Sequence, residues 1–284
     1  MSLSHYFAQE PVFNPAAVGK ESKLNVTGSY ALDFAGFEHN PRTMIVAADM
    51  PLFMLKHYHG VGVQMTSDKL GLFDHQRFAV QYALKTKLLG GMLGIGVQVG
   101  MLSEKFNGSQ TDTEEGNDPA IPMTDVSGSG LGLYYVHGDW YAGASVAHAT
   151  APQVTLGDSY LLDIDRTYYL TGGYNIKLRN PFITIKPTVL LRSDGSAFRA
   201  DITSRVVYTH DKRMLYGGVT YSPSNSVTVL VGGSFHGVVL GYSYELYTSA
   251  SIPGNGSHGL FVGYQHDINL TKKGRNLHKS VRIL

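Results

Sequence analysis

The sequence has no cysteine, which excludes a disulfide framework and a thiolate metal site. Charge is also scarce: Asp, Glu, Lys and Arg make up 16% of the 284 residues, against roughly 25% in soluble domains. The net charge of +1 gives no bulk reason to expect a nucleic-acid partner. Long apolar runs are missing too. The longest, Met44 to Leu55, is interrupted by Asp49 and Pro51, whereas a membrane-spanning helix needs roughly 20 apolar residues. A helical span is excluded, and the remaining backbone that satisfies itself in lipid is a closed barrel. Residues 1–22 show no charged stretch followed by an apolar core, so no secretory leader is visible there. An exported chain is then expected to have Met1 at or near its mature start.

Glycine (33 residues) and tyrosine (18, against 12 Phe and 1 Trp) are plentiful, and apolar residues recur with period two. Along 238–248, Val238, Leu240, Tyr242, Tyr244 and Leu246 alternate with Val239, Gly241, Ser243, Glu245 and Tyr247. Along 198–208, Phe198, Ala200, Ile202, Val206 and Tyr208 oppose Arg199, Asp201, Thr203 and Arg205. Side chains alternate faces along a strand, so each segment has an apolar wall and a polar wall. Segments of about ten residues with this alternation are the signature of transmembrane barrel strands. The spacing predicts about 14 of them, over 23–34, 41–50, 58–67, 75–87, 91–103, 128–137, 140–149, 161–175, 182–192, 197–209, 213–221, 225–234, 237–248 and 258–270.

The predicted fold is therefore all-β: one transmembrane antiparallel barrel over 23–270. Residues 1–22 are expected to be a periplasmic or plug segment, and 271–284 a basic periplasmic tail with Lys272, Lys273, Arg275, Lys279 and Arg282. With both termini in the periplasm, even-numbered strands should end in short turns. Leu89-Gly90, Gly138-Asp139, Arg179-Asn180, His210 to Lys212 and Phe235-His236 fit, while Leu52–His57 looks longer. Longer loops are expected at Glu104–Ser127, Thr150–Tyr160 and Ser249–Ser257. Lys85, Lys186, Arg199, Asp201, Arg205, Glu245 and Asp267 fall on the polar wall and are candidate lumen charges. A lumen of this width needs a plug or leaks, and opposite charges could pair across it. Tyr134, Tyr135, Trp140, Tyr141, Tyr168, Tyr169, Tyr208, Tyr221 and Tyr264 are candidates for aromatic girdles.

Motifs for chemistry are weak. Gly94 to Gly100 is glycine-rich but lacks the strand–turn–helix setting of a dinucleotide site; glycines inside a strand mark a close backbone approach instead. His57 and His59 lack a third ligand at metal-site spacing. Asn255, Ser257 and His258 are neighbours in sequence, whereas a hydrolase triad is assembled in space. The acidic run Asp112, Glu114, Glu115 and Asp118 has the oxygens but not the spacing of a calcium loop. No catalytic residue, metal or cofactor is expected.

Several ordered motifs carry a resemblance. Phe13-Asn14-Pro15-Ala16-Ala17-Val18-Gly19 opens the chain, with Asn14, Pro15, Ala16 and Gly19 as its marks. Pro41-Arg42-Thr43, Gly60-Val61-Gly62 and Asp68 to Gly71 follow, then Gly130 to Tyr135, Gly143 to Ser145, Gly172 to Tyr174 and Lys186-Pro187. Gly241-Tyr242-Ser243-Tyr244 and Gly256-Ser257-His258 close the series. In this order they resemble the PorP/SprF family of type IX secretion outer-membrane proteins of the Bacteroidetes. Phe34 stands where the family often has tryptophan, Glu245 where it commonly has Asp, and Gly259 where an acid commonly follows Ser-His.

The resemblance implies a fatty-acid-transporter-like barrel in the outer membrane, not an enzyme. It also implies a role in exporting or anchoring cargo with a C-terminal sorting domain, such as gliding adhesins, alongside other secretion components in the periplasm and outer membrane. The basic tail is a candidate partner surface for those components or for outer-membrane lipid. The alternative is a diffusion channel or hydrophobic-solute transporter, which the polar wall and strand number would equally allow.

Overall fold

Alternation dictates the architecture, because a strand with one apolar and one polar face can satisfy lipid and an aqueous interior only in a closed sheet. The computed structural model of the chain describes residues 3–35, 40–71, 73–106, 126–150, 153–156, 160–163, 166–223, 225–248 and 256–268. The strands are β1 (Lys23–Leu32), β2 (Arg42–Met54), β3 (His57–Leu70), β4 (Phe73–Leu88), β5 (Gly91–Phe106), β6 (Val126–His137) and β7 (Trp140–Ala147). They continue with β8 (Gln153–Leu156), β9 (Tyr160–Asp163), β10 (Thr167–Tyr174), β11 (Ile176–Lys177), β12 (Ile183–Ser193) and β13 (Phe198–His210). The last four are β14 (Arg213–Ser222), β15 (Ser226–Phe235), β16 (Val238–Tyr247) and β17 (Ser257–Asp267).

Each barrel strand pairs antiparallel with its sequence neighbours, β10 joins β12, and β1 closes on β17 over Lys23↔Asp267 to Leu32↔His258. The result is a closed barrel of 14 strands, with β11 extending β10 along β12. The predicted segment 161–175 needs correction. Residues 160–163 pair instead with β8 in a separate two-stranded hairpin, and the barrel strand begins at Thr167.

The turns after β2, β4, β6, β13 and β15 are two residues long, and residues 178–182 join β11 to β12. The expected longer connection at Leu52–His57 is a two-residue turn, Leu55-Lys56, with φ of 51° and 64°, the hand that matches strand twist. Pro51 does not end β2, because β1 stops pairing at Asp49 and leaves β2 an edge there, where a proline is tolerated. The opposite rim carries the longer loops, although β3 and β4 are joined there between Leu70 and Phe73. The acidic run at 112–118 and the tail cations Lys272, Lys273, Arg275, Lys279 and Arg282 lie outside the described residues.

The barrel is inverted relative to a soluble protein. Leu240 is 58% exposed and Val262 53%, on the outer face, while Gln64 (1%), Gln81 (2%) and Thr203 (0%) are buried on the inner one. The aromatics divide accordingly. Tyr135, Trp140, Tyr208 and Tyr264 ring the outer face near the short turns, and Tyr168 and Tyr221 lie near the other rim. Tyr134, Tyr141 and Tyr169 are not girdle residues: they have the inward parity and pack on the N-terminal segment or its neighbours.

Candidate functional site

The interior is occupied by the chain's own beginning. Residues 3–22 form three 3-10 turns, Tyr6–Ala8, Glu10–Val12 and Pro15–Ala17, and Val12, Phe13, Asn14, Ala16, Ala17 and Val18 are buried. Pro11 at the second position of the second turn and Pro15 at the first position of the third suit a tight helical start. Asn14 caps the third: its Oδ1 accepts from the Ala16 N–H at 3.0 Å. Its Nδ2 donates to the Leu133 carbonyl of β6 at 2.9 Å.

Glycines on the inward face let this backbone lie against the wall. A Cβ on Gly132 would stand 2.1 Å from Asn14 Oδ1, and one on Gly96 would stand 2.2 Å from the Ala16 nitrogen. On Gly60 it would stand 2.1 Å from the Val18 carbonyl oxygen, and on Gly94 2.7 Å from that of Ala16. The glycine-rich stretch of β5 is thus a seat for peptide. Side chains then fix the segment. Gln81 Nε2 donates to the Pro11 carbonyl (2.6 Å) and to Gln98 Oε1 (2.8 Å), and Ser145 Oγ donates to the Phe13 carbonyl (2.6 Å). The Gly19 N–H donates to Asp49 Oδ2 (2.7 Å), and the Tyr134 hydroxyl donates to Glu10 Oε2 (2.7 Å), which also receives Lys20.

On the far arc the contacts are made by side chains. Tyr6 reaches Thr188 Oγ1 at 2.9 Å and Thr203 Oγ1 at 3.0 Å. His5 stacks on Phe261 with ring centroids 5.5 Å apart, and burial, reinforced by Arg205, pushes its pKa down to about 4.

The candidate lumen charges separate into groups. Arg199 Nε meets Asp201 Oδ1 at 2.8 Å and its Nη2 meets Glu245 Oε1 at 2.9 Å. Ser222 donates to Asp201, and Ser226 donates to Glu245 at 2.5 Å. Lys186 and Arg205 are register neighbours of like charge, and neither makes an ion pair among the described residues. Arg205 instead covers the Phe7 ring at 3.4 Å from its centroid. Lys85 is buried on the inner wall. Asp267 has the inward parity but ends β17 opposite Lys23 and is exposed at the rim, so it is not a lumen charge. Glu10, Lys20, Asp49, Gln81 and the seating glycines were not among the sequence candidates. Asp49 interrupting an apolar run, and the period-two pairs Gly60/Gly62 and Gly94/Gly96, were the available signals.

The remaining motif residues meet across one strand pair. Tyr244 is opposite His258, and Ser243 is opposite Gly259. Gly241 and Ser243 face inward and Tyr242 outward, where its hydroxyl meets His258 Nδ1 at 2.7 Å. Ser257 Oγ accepts from the Phe34 N–H at 3.1 Å and bonds the Tyr247 hydroxyl at 2.8 Å. Gly256 has φ +77°, and its carbonyl accepts from Ala35. Ser257 and His258 point to opposite faces, so they do not form a nucleophile–base pair. The His59 nitrogens engage the Tyr82 hydroxyl (2.6 Å) and the Met54 carbonyl (2.9 Å). Among the described residues, no cluster of three or more His, Cys, Asp or Glu is arranged for a metal.

The family profile described as "Type IX secretion system membrane protein PorP/SprF" matches residues 1–264. No curated protein matches the chain. Similar solved structures are barrels. One is the deltaS2S3 mutant of the TodX monoaromatic hydrocarbon channel: TM-score 0.49, 10% identity, covering 87% of this chain and 90% of that one. Another is the β domain of the Bordetella autotransporter BrkA: TM-score 0.38, 13% identity, covering 87% and 98%. CdiB from Acinetobacter baumannii has a TM-score of 0.39 at 9% identity, covering 86% of this chain and 60% of that one.

Proposed function

Since the chain belongs to the PorP/SprF family of type IX secretion system membrane proteins, we propose that it is a non-enzymatic component of that system which supports export or surface anchoring of cargo bearing a C-terminal sorting domain. The outer-membrane barrel is the anchor. Its short turns and basic tail face periplasmic components of the same machine, and the longer loops face cargo outside. Residues 1–22 act as the plug.

The observation that carries this reading is the seating of the Asn14–Gly19 motif on the inner wall within a chain that the family profile spans. An occupied lumen favours a scaffold over a diffusion channel or hydrophobic-solute transporter. In a host that runs this secretion system, loss of the chain should abolish surface display of a reporter carrying a sorting domain, and the full chain should restore it. Unchanged display would end the proposal. Planar-bilayer recording separates the rival, since steady ohmic conductance from the intact chain favours transport. Deleting 271–284 should weaken co-purification of periplasmic partners and leave the heat-modifiable barrel intact.

A further inference from the structure

At the end of the barrel where β13 turns into β14, charge and aromatic rings meet on the lipid side of the wall. His210 and Arg213 are register partners, as are Arg213 and Phe235. They share the outward face with Tyr208 and Leu215, all of them exposed. The Arg213 guanidinium stands 5.1 Å from the Phe235 ring centroid. Phe182 lies 5.2 Å from the His210 ring and 6.1 Å from that of Tyr208. The acid of the turn, Asp211, lies 3.4 Å from His210; Lys212 and Arg213 are exposed cations beside it, Arg213 over the Phe235 ring. Towards the middle of the barrel the same face is apolar, with Leu215 63%, Val219 48% and Val231 50% exposed.

We infer that this patch is a headgroup site for an anionic glycerophospholipid. Lys212 and Arg213 take the phosphodiester, Phe235 and Phe182 hold the glycerol level, and Leu215 and Val219 run beside the acyl chains. The chemistry follows from the stacking. A guanidinium laid over a ring keeps its N–H edge free for two phosphate oxygens, and aromatic side chains settle where hydrocarbon gives way to headgroups. An acidic protein surface would meet the same charge. However, Arg213, His210 and Phe235 project sideways from the wall and continue into apolar surface, which suits a lipid molecule better than a docked domain. Cations near a lipid surface contribute about fivefold in affinity each, so removing both should cost about twenty-five-fold.

The test uses the full chain in detergent, titrated with phosphatidylglycerol or phosphatidylcholine and read by native mass spectrometry. Folding of every variant is checked by heat-modifiable migration. Lys212→Ala with Arg213→Ala should lower phosphatidylglycerol binding about twenty-five-fold and leave phosphatidylcholine unchanged, and Lys69→Ala at the opposite rim should change neither. The inference is overturned by unaltered phosphatidylglycerol affinity in the double variant, or by equal losses for both lipids. Preferential retention of lipid A, or capture of an acidic protein partner in place of lipid, overturns it as well.

Discussion

The two arcs of the inner wall solve the same problem with opposite residue types. Along β3 to β7, the positions that meet residues 14–18 are largely glycine, and the peptide is seated backbone to backbone. Along β12 to β17 the inward positions include Thr188 and Thr203, which reach Tyr6, and Asp201 and Glu245, which pair with Arg199. The glycine positions read shape and tolerate no added atom, while Gln81, Tyr134 and Ser145 around them fasten the segment by hydrogen bonds. A wall of hydroxyls and carboxylates reads chemistry and can re-pair. The glycine arc should therefore be brittle to substitution and the polar arc more forgiving.

The largest effect should come from adding volume to the glycine arc. Gly96→Val with Gly132→Val places carbon 2.2 Å from the Ala16 backbone nitrogen and 2.1 Å from Asn14 Oδ1, a side chain itself held by Ala16 and Leu133. The cost exceeds the roughly 1–3 kcal/mol of ordinary core overpacking. The barrel should still migrate as folded, residues 3–22 should become open to protease, and bilayer conductance should appear. Arg199→Met tests the other arc. It leaves Asp201 and Glu245 buried with only serine donors. Because the Arg199 side chain is 25% exposed, the penalty should be about 2 kcal/mol, below that of a fully buried pair. A lower unfolding temperature with residues 14–19 still protected would show that the arcs act independently; loss of protection would show that they do not.

An effect graded with pH should follow through His5. Its pKa is about 4 when seated among Phe261, Tyr216, Phe7 and Arg205, against about 6.5 when released. A depressed seated value means that the segment is fully held above the released value. Holding weakens as pH falls from 6.5 towards 4, by on the order of 3 kcal/mol in all. Protease protection of residues 3–22 should decline across that window, and His5→Phe should flatten the decline. A decline unchanged in His5→Phe would place the titrating group elsewhere.

Period two made the barrel legible from sequence, since lipid outside and polar groups inside leave each strand one face per environment. It also put Arg199, Asp201 and Glu245 on one wall. Periodicity reports a face but not a distance, so it did not separate the paired Arg199 from the ring-bound Arg205. Nor did it show that Asp267 lies beyond the enclosed part of its strand. The seat for residues 14–18 was visible only as glycine spacing. A missing side chain does not announce what fills its place, and the 3-10 turns of 6–17 are too short to leave a period of their own.

The finest test of the contrast between the arcs is Asn14, the side chain that fastens the segment on the glycine side. Asn14→Ala removes the cap on Ala16 and the bond to the Leu133 carbonyl, and should cost about 2 kcal/mol. Asn14→Asp keeps an acceptor for the Ala16 N–H, but sets a carboxylate oxygen against that carbonyl at a position that is 0% exposed. Charge without a partner at such a site is costly. Beside it, Gly132 and Gly143 leave the carboxylate no side chain to turn towards. Asp should therefore protect residues 3–22 from protease less well than Ala does. If Asp protects better, capping dominates the fit, and the glycine arc senses chemistry as the polar arc does.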